Sequence, residues 1–319
     1  MKQLKRPRYR VYSEYLKEKY GCKVYKLPVN LPVTCPNRDG RLGYGGCIYC
    51  GEAGAGFEAL SEQMPVETQL EKNMDYIGKR YGAKKYIAYF QNFSNTYLEP
   101  ERLKDYLYRV QMPDIVEVYI STRPDCISSR HLEAAAGFRK DTGLEVTFEL
   151  GLQTVNYHTL DRLNRGHTLA EFIDAVLQLK GSGFPMCVHI IPDLPWDDMQ
   201  DVVENAKMVS ALGADQVKLH SLYIVRGTRL ARMYMENEIQ LVSMEEYIQR
   251  IITFLEYLHP EIIIQRLISR APEEETLKSN WNTSWWKVKE QIEKRMEAID
   301  TWQGKRFDYL RGTAVKEFL

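Results

Sequence analysis

The chain reads as an α/β fold of parallel βα units, closed or partly closed into a barrel. Two observations point there. Short apolar runs of four to seven residues alternate with helical stretches along most of the chain, the pattern of parallel βα units. Polar residues follow directly on several of those runs, as they do where a site lies at the C-terminal ends of barrel strands. A count of about seven strands leaves a full (β/α)8 barrel and an open one both possible. The 319 residues, 44% of them apolar, suffice for one large α/β domain or two small ones.

Residues 9–20 predict a short helix. Residues 23–33 are extended, because Pro28 and Pro32 break any helix. Within them Val24, Leu27, Val29 and Leu31 form the first barrel strand. Helices over 67–80, 100–110, 128–142, 156–164, 169–180, 199–212 and 245–258 then separate strands over 85–90, 115–121, 144–150, 186–191, 216–219 and 262–267. Pro100 stands near the first turn of its helix, where a missing N–H is harmless. Gly143 ends the helix before it. A last helix covers 291–299, and residues 269–286 read as irregular, with Pro272 and Trp281, Trp285 and Trp286. Packing of the tail onto the barrel is the expected use of those Trp, and base stacking is the alternative. The division is a basic extension over 1–22, a core barrel over 23–268 and a C-terminal extension over 269–319 packed on the barrel.

Lys plus Arg number 43 and so do Asp plus Glu, so the whole chain does not advertise a polyanionic partner. Residues 1–26 depart from this balance, with nine Lys/Arg against two Glu. That arm is either solubilising or a contact to an RNA backbone, with Lys5, Arg6, Arg8 and Arg10 as the candidates. No apolar run approaches the length of a membrane span. The basic N-terminus lacks the apolar stretch of a secretory signal. The expectation is a cytoplasmic protein with no membrane partner. Thiols stay reduced there, so clustered cysteines mean metal or catalysis. Cys22, Cys126 and Cys187 are scattered, and Cys187 reads as a small core residue of a strand.

Cys35, Cys47 and Cys50 fall within sixteen residues, CPNRDGRLGYGGCIYC, and make up half of the six cysteines. The stretch is rich in Gly, Asn, Asp and Arg, which is loop chemistry. Three thiolates with no nearby fourth ligand suit a [4Fe–4S] cluster with one open iron. A zinc ion with a distant fourth ligand also fits. Spacing alone leaves both open.

The loop resembles the cluster-binding loop of the radical S-adenosylmethionine (SAM) superfamily. The usual pattern there is C-x3-C-x2-C. The widened first gap is similar to that of an Elp3-related bacterial subfamily, the YhcC/YtqA-like group, whose loop reads CPNRDG…GGCxxC. The resemblance extends over about residues 5–300. It implies a partial (β/α)6 TIM-like barrel with N- and C-terminal extensions. It also implies that Cys35, Cys47 and Cys50 hold a [4Fe–4S] cluster and that Tyr49 lies against the adenine of SAM.

The remaining candidates follow the strands. Gln91 and Asn92 stand after the strand over 85–90, in a match to the subfamily's YFQxxTNTY. Most relatives carry a Gly-Gly-Glu-like motif there for the methionine ammonium, and Gln91 is in its region without the acid. Ser121 and Arg123 end the next strand. Arg123 is suited to a carboxylate by its planar fork, or to a salt bridge with Asp125. Glu149 and Gln153 match the subfamily's ELGxQ, with Glu149 placed to accept from ribose hydroxyls. Arg165 and His167 match its NRGH. Arg165 is the candidate for the SAM carboxylate, and His167 either orients substrate or caps the next helix. Pro192, Asp193 and Trp196 replace a Gly-rich turn at the adenine, so the grip there differs in detail. Lys218 and His220 follow, with Lys218 touching substrate or pairing with Glu149.

The resemblance implies an enzyme that cleaves SAM reductively with an electron from a donor such as flavodoxin or ferredoxin. The resulting 5′-deoxyadenosyl radical abstracts hydrogen from the substrate. The implied substrate is tRNA, with 5-carboxymethylaminomethyl(-2-thio)uridine at the wobble position converted to 5-aminomethyl(-2-thio)uridine. A radical SAM enzyme acting on a small metabolite or cofactor precursor is one alternative. A non-enzymatic Fe–S or zinc protein is the other. Glu149 and Arg165 are expected to serve SAM, so that Glu149→Gln weakens SAM binding and leaves thermal unfolding nearly unchanged.

Overall fold

The computed structural model describes residues 7–52, 54, 59–270 and 274–318. The strands are β1 (Val24–Val29), β2 (Lys85–Phe90), β3 (Ile115–Thr122), β4 (Glu145–Gln153), β5 (Met186–Ile190), β6 (Gln216–Leu219), β7 (Ile224–Val225), β8 (Ile263–Arg266) and β9 (Thr276–Lys278). Seven of them form one sheet in the order β1-β2-β3-β4-β5-β6-β8, with every pairing parallel. The sheet curls into a partial barrel. β7 and β9 make a separate antiparallel pair.

The helices are α1 (Tyr12–Tyr20), α2 (Val66–Tyr81), α3 (Pro100–Tyr108), α4 (Ser129–Thr142), α5 (Tyr157–Arg162), α6 (Leu169–Gly181), α7 (Met199–Ala211), α8 (Arg229–Met235), α9 (Met244–Tyr257) and α10 (Trp285–Ala298). Local sequence explains several ends. Gly143 closes α4 with φ 72°, a left-handed conformation that costs glycine little. Thr168 with Glu171 and Asp198 with Asp201 form capping boxes at the starts of α6 and α7.

The strands alternate with period two. One face carries Leu27, Val29, Val118, Ile120, Val146, Phe148, Val188 and Val217 into the main apolar core. The other face looks into the barrel and is polar: Lys26, Glu149, His189 and Lys218 meet there. Register sets them side by side, with Gly151 opposite His189, and His189 opposite Lys218. The gap between the edge strands β1 and β8 is covered by α1, which packs on both. Its approach is pinned where Ile264 N donates to Arg10 O at 2.9 Å.

Three features depart from expectation. α10 starts at Trp285, well before the expected 291, because Val288, Ile292 and Met296 supply its buried stripe four residues apart. The β7–β9 pair and α8 carry no period long enough to read in sequence. β4 runs three residues past the expected strand, to Gln153, whose φ is 78°. No helix among the described residues is long and apolar enough to cross a membrane.

Candidate active site

A cavity of about 670 Å³ opens at the C-terminal ends of the strands. The loop after β1 forms one wall, and Cys35, Cys47 and Cys50 all line it. Backbone bonds shape that loop: Gly46 N donates to Asn37 O at 2.8 Å and Cys50 N to Cys47 O at 2.9 Å. Arg38 ties its far end, donating to Cys50 O at 3.1 Å and also to Gly51 O. The segment after α5 clamps it from outside, with Ile48 N on Leu163 O at 3.0 Å and Asn164 Nδ2 on Gly46 O at 2.9 Å.

Two guanidinium groups face the sulfurs. Arg165 Nη1 lies 3.3 Å from Cys47 Sγ, and its Nη2 donates to Gly151 O at 2.7 Å. Arg123 Nη1 lies 3.9 Å from Cys35 Sγ and donates to Arg165 O at 2.7 Å. Burial, followed by the Cys47 charge, pushes the Cys50 thiol up to about 11, so the thiolate form needs a metal to hold it. A Cβ at Gly151 would come within 2.7 Å of Arg165 Nη2, so the bare backbone here leaves room for the guanidinium in this position.

Zn–S bonds of about 2.3 Å would hold three sulfurs within about 3.8 Å of one another. Among the described residues, the three-ligand group whose donor atoms lie within 4.8 Å is Glu149, Cys187 and His189, not the loop cysteines. The loop cysteines are not so compact a set. The compact group is no cluster site. Lys26 and Lys218 already occupy the Glu149 carboxylate, and a cation would add a third positive charge.

Most of the other expected residues do reach the cavity: Tyr49, Gln91, Ser121, Arg123, Gln153, Arg165, Lys218 and His220 line it. Arg123 is bidentate to Asp125, at 2.8 and 2.6 Å, but the pair is buried rather than on the surface. Four do not line it. Glu149 is fully buried below the floor, bonded to Lys26, to Lys218 Nζ at 3.0 Å and to His189 Nε2 at 2.9 Å. Burial would raise its carboxyl, but Lys218 and Lys26 outweigh burial and hold it well below the usual carboxylate range. Its oxygens are thus taken by Lys26, Lys218 and His189, which corrects the expectation that they face the ribose. Asp193 takes both its oxygens to Leu222 N, at 2.9 and 3.0 Å, and shapes the turn after β6. Asn92 is buried behind the wall. His167 is buried beside Arg165 and Arg123, and burial with those charges lowers it to about 2, so it is neutral. The cap of α6 is Thr168, not His167.

Of the basic arm, Lys5 and Arg6 lie outside the described residues. Arg8 pairs with Asp300 at 2.7 Å, and Arg10 pairs with Glu261. These ion pairs hold Arg8 against the C-terminal segment and Arg10 against the residues just before β8.

Sequence reading missed Lys26, His189 and Arg266, all on the inner face of the barrel. Their signal was parity, since each lies an even number of residues from an inward position on its own strand or aligns with one on the next. It also misplaced two of the Trp. Trp281 packs on Tyr247 and donates to Val242 O at 2.8 Å, as a packing role requires. Trp285 and Trp286 instead remain 41% and 52% exposed at the cavity rim.

Residues 30–209 match the model of the radical SAM superfamily, and residues 214–298 match that of the radical SAM C-terminal domain. The chain belongs to the radical SAM superfamily. It is accordingly an enzyme dependent on SAM and an iron–sulfur cluster. It is 34% identical over 304 residues to YtqA of Bacillus subtilis (strain 168), covering 95% of this chain and 94% of that one. It is 33% identical over 272 residues to YhcC of Escherichia coli (strain K12), covering 85% and 86%. A stretch of 162 residues is 28% identical to a tRNA uridine(34) acetyltransferase of Methanocaldococcus jannaschii, covering 49% of this chain and 28% of that protein. In fold the chain resembles the archaeal Elp3 of Methanocaldococcus infernus, with a TM-score of 0.66 at 18% identity over 88% of this chain and 64% of that one.

Proposed function

We propose that this radical SAM enzyme modifies the wobble uridine of tRNA, converting the 5-carboxymethylaminomethyl side chain to 5-aminomethyl, with or without 2-thiolation. The observation that carries the reading is the cavity itself. Its volume of about 670 Å³ lies between the cysteine loop and a rim carrying exposed Trp285 and Trp286. A base modified by an enzyme must leave its stack, and exposed aromatic faces are the usual platform for it. The part-length match to a tRNA uridine(34) acetyltransferase supports the same substrate class.

Cys35, Cys47 and Cys50 would hold the cluster, and when bound the cluster and SAM supply reductive cleavage and a hydrogen-abstracting radical. The chain's own part is to orient and to exclude water. Arg165 and Arg123, fixed beside the sulfurs, would offer positive charge to the SAM carboxylate. Gln91, Gln153 and Ser121 offer neutral donors and acceptors on the same wall. Tyr49 closes the loop side, where an adenine would stack. Hydrogen abstraction from the carbon between the amine and the carboxylate would leave a substrate radical; returning one electron to the oxidised cluster would make it an iminium, and water would then cleave the N–C bond to give the 5-aminomethyl base and glyoxylate. An electron donor such as flavodoxin or ferredoxin supplies the reduction.

Anaerobic incubation with SAM, a reductant and tRNA bearing the carboxymethylaminomethyl base tests this directly. Nucleoside mass spectrometry should show loss of the carboxymethyl mass at the wobble position. An unchanged nucleoside pattern, with SAM cleavage intact, would move the substrate to a small metabolite.

A further inference from the structure

Six cationic side chains line the cavity, those of Arg38, Arg123, Arg165, Lys218, Arg266 and Arg270, and among the described residues no carboxylate does. Three of them belong to the cysteine side: Arg38 holds the loop, and Arg123 and Arg165 reach its sulfurs. Lys218 and Arg266 stand on the opposite wall, register partners on the adjacent strands β6 and β8. His220 completes that wall, receiving a hydrogen bond from Arg266 Nη2 at its Nδ1 at 2.5 Å. The His220 ring, stripped of water and faced by Arg266, stays neutral, its proton affinity well below the ordinary imidazole value. It therefore orients the guanidinium without balancing it.

The charge on this wall is not cancelled from behind. Glu149 is the one carboxylate there among the described residues, and it is shared between Lys26 and Lys218. Arg266 has no ion pair among the described residues, and its Nε is buried without a hydrogen-bond partner. A guanidinium cannot shed its proton to relieve this. Arg266 is part-buried, and withdrawing a charge from water without a counterion costs free energy, so the wall suits an anion that arrives with a ligand.

We propose that Arg266, held by His220 and flanked by Lys218, forms a carboxylate subsite that grips the acidic end of the substrate side chain. This rests on the wobble-uridine reading, in which the group to be removed ends in a carboxylate. The fork of Arg266 matches that group bidentately, and Lys218 adds a point charge beside it. The subsite would then select the carboxymethylaminomethyl base over the aminomethyl product and release the product once its carboxylate is gone. A carboxylate also exists on SAM, and the test separates the two sources.

The experiment is binding without turnover. The full chain, anaerobically reconstituted with its cluster and supplied with SAM but no reductant, is titrated at fixed salt with two anticodon stem-loops. One carries 5-carboxymethylaminomethyluridine and the other 5-aminomethyluridine. Wild type should prefer the first by on the order of 10- to 100-fold, as hydrogen bonds between charged groups provide. Arg266→Gln should reduce that ratio to about unity while leaving the affinity for the aminomethyl stem-loop in place, and Arg266→Lys should restore part of it. A merely structural role would weaken both stem-loops together and leave their ratio intact, which would overturn the subsite. A fall in SAM affinity with an unchanged ratio would overturn it too, assigning Arg266 to the SAM carboxylate. Equal binding of both stem-loops by wild type would remove the subsite but keep the RNA reading. No binding of either would remove both.

Discussion

Glu117 and Glu149 stand on the neighbouring strands β3 and β4, both buried and both inside the barrel, yet they do different things. Glu117 sits toward the end of the barrel that α1 covers. It takes bonds from Tyr20 OH at 2.8 Å and Thr147 Oγ1 at 2.7 Å, and its cation, Lys19 at 3.4 Å, reaches in from α1 with its side chain still 31% exposed. Glu149 sits under the cavity, and its partners all come from strands and are nearly dry. The lower group is a balanced plug with one partner in water. The upper group is a rigid floor on which positive charge exceeds negative. A barrel usually fills its interior with branched apolar side chains. Here the waist is ionic, and burial outweighs Glu149 to bring Lys218 down to about 8.

The largest test of this division sets the mouth against the waist. Ala in place of any one of Cys35, Cys47 or Cys50 should abolish reconstitution of a [4Fe–4S] cluster and with it SAM cleavage. Cys187→Ala, in the waist beside Glu149, should keep full iron and sulfide content. Iron and sulfide counting after anaerobic reconstitution decides it, and stoichiometric zinc without reconstitutable iron would reverse the assignment.

The next test compares the two carboxylates. Glu149→Gln strands Lys26 and Lys218 with no counterion and should cost roughly 3–5 kcal/mol of stability. Glu117→Gln should cost less, roughly 1–3 kcal/mol, because Lys19 can swing into solvent. Denaturant unfolding of both variants measures the difference. Equal losses would mean that the floor is no more rigid than the plug.

Asp193 extends the comparison to a buried carboxyl with no ion pair among the described residues. Burial, outweighing the Leu222 N–H bonds, pushes it up to about 7. Its proton stabilises the fold fully below about pH 4, and that contribution, on the order of 4 kcal/mol, is lost as pH rises from there through 7. Wild type should therefore lose stability relative to Asp193→Asn between pH 5 and pH 8. A pH-independent difference between the two would show the carboxyl to be ionised throughout.

The smallest effect separates the Trp residues of the tail. Trp285→Ala and Trp286→Ala should each weaken stem-loop binding by roughly 1–2 kcal/mol with little change in melting temperature. Trp281→Ala should do the reverse, costing about 3 kcal/mol of stability through lost packing. Swapped outcomes would return the rim to a packing role.

By itself the sequence determined whatever local pattern encodes. The alternation of strands and helices is a matter of period and caps, so β2, β6 and most helix ends could be read within a residue or two. The cysteine loop was legible because its three cysteines lie within sixteen residues and its glycines mark a loop. Tertiary structure alone decided the rest. Glu149 looked like a site residue because it falls in a match to the subfamily's ELGxQ, but Lys26 and Lys218, 123 and 69 residues away, claim it. Trp285 and Trp286 reach the rim only because α10 packs through Val288, Ile292 and Met296. The charge excess at the cavity is a property of no segment, because its cations come from strands far apart in the chain. Hydrogen bonds and ion pairs over such distances depend on register and curl of the sheet, which propensity does not carry.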